Sequence, residues 1–160
     1  MIWLWLGVLV WSVTHFLPAG APALRARLIH RLGEPGYKGI FSLLLVGAIV
    51  LMVIGWRSSV PNRISPNPEW LLILANLLVL AAFMLFVASV FPSILRRVVR
   101  HPQLTAVLLW GIAHVMTNRD LRSFVLFGGF GVWSILMILL LNRRDGVWEK
   151  AEAPPLSSEL

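Results

Sequence analysis

The chain has 160 residues, of which 58% are hydrophobic and 13% charged, with 14 Lys+Arg, 7 Asp+Glu, 4 His and no Cys. A soluble domain carries about 25% charged and about 45–50% apolar residues, so both departures exclude an ordinary soluble fold and point to a membrane protein. The missing cysteines exclude a disulfide scaffold, a zinc–thiolate site, an iron–sulfur cluster, a cysteine nucleophile and a thiolate-ligated haem.

A bilayer crossing needs roughly 17–25 apolar residues, and five runs qualify: residues 2–17, 39–56, 70–95, 101–117 and 121–141. The sequence therefore predicts an all-α, polytopic bundle of five transmembrane helices, with residues 1–148 forming the membrane domain. The first run resembles a signal peptide in length, but no basic residue precedes it and it carries Trp3, Trp5 and Trp11, so it reads as a retained helix. After it, Leu24, Leu28 and Leu32 recur at four-residue spacing beside Arg25, Arg27 and Arg31, the pattern of a short basic helix lying on the membrane surface. Gly33-Glu34-Pro35-Gly36 ends that helix before the second span.

The connector Val60 to Glu69 contains three prolines and reads as irregular. Arg96, Arg97 and Arg100 break the chain before the fourth run, where Pro102 suits a first helical turn. Asn118 closes that helix and Asp120 caps the next, giving a tight hairpin. Gly128, Gly129 and Gly131 in the fifth run suit close packing against another helix or a second copy of the chain. Residues 149–160 are polar, contain Pro154-Pro155, and read as a disordered tail.

Lys and Arg are unevenly divided among the loops. One side collects ten (Arg25, Arg27, Arg31, Lys38, Arg96, Arg97, Arg100, Arg143, Arg144, Lys150) and the other four (Arg57, Arg63, Arg119, Arg122). The positive-inside rule puts the N-terminus outside and the C-terminus in the cytoplasm, with Trp3, Trp5, Trp56 and Trp70 at the outer boundary. Topology accounts for the +7 charge, so no nucleic-acid partner is expected; the lipid bilayer is the expected surrounding.

Candidate chemistry rests on histidine. His30 sits among arginines and reads as solvated, whereas His15 and His114 lie inside apolar runs, where an ionisable group faces a partner or a cavity. An interhelical hydrogen bond is the other account of each. Counting along the helices places His15 roughly 20 Å from the outer plane and His114 roughly 20 Å from the inner one, a depth difference of about 10 Å that a tilted planar cofactor spans. His114 shares a stripe with Gly111, Trp110, Val107 and Gln103, and His15 with Trp11, Ser12 and Val8, so a tryptophan precedes each histidine by one turn. His101 is rotated away from His114 and belongs to the helix start, where Arg96, Arg97 and Arg100 can meet an anionic lipid or a cofactor carboxylate. No P-loop, dinucleotide fingerprint, HExxH or intramembrane carboxylate pair is present.

Thr14-His15-Phe16, Arg31-Leu32-Gly33-Glu34 with Tyr37-Lys38-Gly39 and Phe41-Ser42-Leu43, Arg100-His101-Pro102-Gln103, and Trp110-Gly111-Ile112-Ala113-His114 together resemble the NnrU family of bacterial membrane proteins. The resemblance runs from the first helix to the fifth. It implies a bacterial inner-membrane protein associated with nitrite and nitric oxide metabolism in denitrification, related to the zeta-carotene isomerase, whose haem b is held by histidines. Carried over, the resemblance places the two haem ligands on His15 and His114; where the isomerase has a cysteine three residues before its second histidine, this chain has Gly111. The expected set of cofactor-binding residues is thus His15, His114, Trp11, Trp110, Gly111, Arg100 and His101, with His15 and His114 as iron ligands. The leading expectation is a haem b sensor or electron-transfer accessory to a membrane reductase, and not an enzyme. The alternatives are a haem-dependent cis–trans isomerase of a polyene lipid and a cofactor-free structural subunit.

Overall fold

The computed structural model describes residues 1–61, 67–148 and 150, and its regular structure there is entirely helical. Helix α1 spans Ile2–Gly20, α2 Pro22–Arg57, α3 Glu69–Val90, the short α4 Leu95–Val98 and α5 Pro102–Asn118. A last long helix, α6, runs Leu121–Asp145.

Four of these, α1, α2, α3 and α6, are long and apolar enough to cross a membrane. The remaining expected crossing, α5, falls outside that group because it has only 17 residues and carries Gln103, Thr105, His114, Thr117 and Asn118 among its apolar positions. Leucine, isoleucine, valine and phenylalanine side chains cover the outward faces of α2 and α3: Leu43 is 71% exposed and Phe83 65%. Apolar surface of that extent is stable only against lipid.

Several boundaries differ from the sequence reading for physical reasons. The surface helix and the second span form one 36-residue element, broken at Gly33, whose φ of 72° and ψ of 161° suit a residue without Cβ. Straight, that element would measure about 54 Å, far beyond a bilayer core of about 30 Å. The kink at Gly33 divides it, and Pro35 restarts the helix within a turn. Just past the kink, Lys38 Nζ meets Glu34 at 2.8 Å and holds that exposed carboxyl below its ordinary pKa. The third helix stops at Val90 rather than residue 95, because Pro92 keeps Phe91 extended. The expected irregular connector falls partly on residues 62–66, and the expected tail largely on 149–160, outside the described residues.

The turn between α5 and α6 follows the expectation closely. Arg119 adopts the left-handed conformation with φ 50°, and the buried Asp120 accepts a hydrogen bond from the Ser123 N–H at 2.7 Å. Beside it, the Arg122 guanidinium lies 4.2 Å from the Trp56 ring centre and donates to the Ser59 carbonyl, tying α6 to the end of α2.

The helices stand in a row: α2 packs on α1, α1 on α6, α6 on α5, and α5 on α3. Glycine sets the distances. Gly7 and Gly55 lie against α2 and α1 respectively, and a Cβ on Gly55 would strike the Leu4 backbone. Gly129 abuts Val8 of α1, and Gly131 faces Leu108 of α5, so these glycines serve packing within one chain.

Substituting Gly55→Ala should therefore lower stability by about 1–3 kcal/mol through overpacking, read as an earlier unfolding midpoint in a detergent titration followed by circular dichroism. Gly47→Ala, with nothing within 4 Å of its added Cβ, should leave the midpoint unchanged or slightly raised. Equal midpoints for the two variants would contradict the packing described.

Candidate functional site

A cavity of about 980 Å³ opens between α1, α3, α5 and α6, with no residue of α2 in its wall. Trp11 and His15 form the α1 side, Val107 and Trp110 the α5 side, and Phe130 and Trp133 the floor on α6. At one end Arg96, Arg100 and His101 line the mouth, with Trp148 beside them. The interior is thus aromatic and the opening basic.

Each tryptophan–histidine pair has the same local geometry. His15 Nδ1 lies 2.9 Å from the Trp11 carbonyl oxygen, and His114 Nδ1 lies 2.9 Å from that of Trp110. A carbonyl can only accept, so Nδ1 is the donor in both rings, and Nε2 is the nitrogen that carries the lone pair in the neutral imidazole. That is the arrangement in which a histidine is oriented for metal ligation by a backbone partner. The rings pack tilted against their own tryptophans, with centroids 4.4 Å apart for Trp11–His15 and 4.8 Å for Trp110–His114.

The surroundings then diverge. His15 lines the cavity, 5.2 Å from the Trp133 ring and 5.8 Å from Phe41. His114 is absent from the cavity wall: its ring packs against Trp110, which does line the cavity, and against Phe127, with centroids 4.8 and 4.4 Å away. Trp11, Phe130 and Trp110 form a chain of edge contacts, 5.5 and 6.3 Å between centroids, so aromatic rings link the two histidines. Of the residues singled out from sequence, the cavity gathers His15, Trp11, Trp110, Arg100 and His101. It leaves out His114 and Gly111.

Gly111 has a different use from the one its place beside His114 suggests. A Cβ there would come within 2.7 Å of the Phe127 carbonyl oxygen. That carbonyl belongs to a π-helical turn, Phe124–Gly128, inside α6, and such turns bring backbone oxygens out of the α-helical line. Gly111 thus admits the backbone of α6 and leaves no room there for a ligand. The sequence carries no signal for the π turn beyond the run Phe127-Gly128-Gly129.

His101 stands at the N-cap of α5, as expected from its place before Pro102, and its Nε2 lies 3.0 Å from Asn142 Oδ1. Arg100 Nη1 donates to the Gly146 carbonyl at 2.8 Å. Together these bonds fasten the start of α5 to the end of α6 and shape the basic mouth. His30 is exposed, and no group of three or more His, Cys, Asp or Glu capable of holding a metal occurs among the described residues. Among the cavity lining residues that the sequence does not single out, Phe130, Trp133 and Met137 come from α6 and read there as ordinary core positions.

These features define a helical membrane protein with a histidine-bearing, aromatic-walled cavity inside its bundle. The chain belongs to the NnrU protein family, whose pattern it matches over residues 3–158. Comparison with curated proteins and with solved structures gives no match.

Because the chain lacks cysteine, single-cysteine variants report the cavity directly. Leu104→Cys and Val107→Cys should react with a small thiol reagent in detergent, whereas Ala113→Cys, at a position 1% exposed, should stay unlabelled. Equal labelling at all three positions would mean that the cavity is not a defined space.

Proposed function

We propose that this NnrU-family protein is a bacterial inner-membrane protein that holds haem b in the central cavity and serves nitrite and nitric oxide handling as a sensor or electron-transfer accessory. The observation that carries the reading is His15: its Nδ1 is committed to the Trp11 carbonyl and its ring lines a large aromatic cavity. The residues fit the group. An imidazole with its lone pair on Nε2 is an iron ligand, indole and phenyl rings suit a flat apolar macrocycle, and a basic mouth suits its carboxylates. When bound, haem would supply reversible one-electron chemistry and a site for diatomic nitrogen oxides.

His15 is the ligand the geometry favours. His114 enters as the second ligand on the strength of the family resemblance, supported by the matching Nδ1 geometry on Trp110; it packs on Trp110 and Phe127 and is not part of the cavity wall. The protein's own part is to fix the His15 tautomer, wall the cavity with rings and keep the charged groups at the mouth. In the bilayer, we place the end carrying Arg96, Arg100 and Arg144 in the cytoplasm, with α5 as a fifth crossing, following the positive-inside rule.

The test is an absorption spectrum of detergent-purified protein, air-oxidised and dithionite-reduced. Wild type should show a Soret band with sharp reduced α and β bands. His15→Ala should lose the band, and His114→Ala should shift it towards a five-coordinate form. An unchanged His114→Ala spectrum removes His114 from the ligand set, and a featureless wild-type spectrum after expression with ample haem overturns the haem reading.

A further inference from the structure

We infer that the basic mouth of the cavity is a head-group site for one anionic phospholipid, with an acyl chain laid along the seam between α3 and α5. This goes beyond the haem reading and does not rest on it: the arginines that suit the carboxylates of a haem on His15 are open to a lipid head group in the haem-free protein.

Arg96 and Arg100 line the mouth. Arg100 is held by its bond to the Gly146 carbonyl, and the neighbouring His101 by Asn142, so the positive charge is set in place. The acid at the end of α6, Asp145, is engaged by Arg144 Nε at 2.6 Å and lies within the field of Arg100 and His101, so it offsets part of the positive charge while Arg96 and Arg144 keep the end of the bundle basic. An anionic head group at this level meets two guanidinium groups, which bind phosphate through paired N–H donors.

A second groove, about 290 Å³, continues from this cavity and shares Phe86, Val107 and Trp110 with it. Ala82 and Ala106, both almost fully buried, form its floor between α3 and α5, and Phe83 stands exposed at its edge. All of its lining residues are apolar. From Ser89 at the cavity to Val79 at the groove's far end is ten residues of α3, about 15 Å. Half of a bilayer core about 30 Å thick has the same depth. A trench one leaflet long, apolar along its groove and bearing two arginines at its polar end, matches a single lipid with a charged head. A zwitterionic lipid fills the trench equally well but offers the arginines no net charge.

Native mass spectrometry of the full chain in detergent tests this with phosphatidylglycerol and phosphatidylcholine of identical acyl chains. At about fivefold per arginine near an anionic head group, wild type should prefer phosphatidylglycerol roughly 25-fold. R96Q/R100Q should bind the two lipids alike while eluting as a monodisperse, helical protein. R27Q/R31Q, which removes the same charge from the exposed surface part of α2, should keep the preference. Short-chain phosphatidylglycerol or excess inorganic phosphate should fail to displace the long-chain lipid. The preference is read on haem-free protein, so a featureless absorption spectrum and a lost lipid preference are separate outcomes; a haem whose carboxylates meet the same arginines should weaken the preference. The inference is overturned if wild type shows no preference, if R27Q/R31Q loses as much as R96Q/R100Q, or if free phosphate displaces the lipid.

Discussion

Backbone approach between α6 and its two neighbours is the constraint on which the bundle depends. Lipid tails are as apolar as leucine, so helices in a bilayer gain little by hiding apolar surface from one another and associate through close packing. Here α6 reaches α1 through Gly129 against Val8, and reaches α5 through Gly111 against the Phe127 carbonyl. Because α6 sits deep between them, α1 and α5 stand apart in front of it. The cavity is the space that this spacing leaves, and Trp133, 7% exposed, is both its floor and part of the core. Site and fold therefore share residues.

The long helices are legible in the sequence because an uncharged apolar run has few other stable uses. The α5–α6 turn is legible too, since Asp120 three residues before Ser123 is a local signal for a local bond. Features that depend on a partner helix are hidden. In sequence Gly111 reads as space next to a histidine, and only the position of α6 reveals that a carbonyl fills that space. Likewise Gly33 reads as the end of a helix, whereas the chain turns there and continues helical. Half of the site is readable: periodicity joins each histidine to its tryptophan, but periodicity gives no order of helices around a bundle. That order puts His15 on the cavity and His114 off it, against Trp110 and Phe127.

The two tryptophan–histidine pairs show how one local device acquires two environments. In both, the backbone carbonyl four residues back fixes the tautomer, a property of the helix and the residue spacing alone. What the ring then meets is set by tertiary packing: an open aromatic chamber for His15, the face of Phe127 for His114. The basic residues sort in the same way. Arg122 is committed to Trp56 and Ser59 at one end of the bundle, while Arg96 and Arg100 face the cavity at the other.

The tight turn at Arg119-Asp120 bears on how the protein is assembled. Helix α5 is the shortest of the long helices and carries Gln103 and His114, and it is joined by only these two residues to the 25-residue α6. With α6 beside it, and Asp120 already satisfied by Ser123, α5 forms one hairpin with its neighbour. The unit of assembly at this end of the chain is then two helices and not one, and a change that loosens the turn acts on both at once.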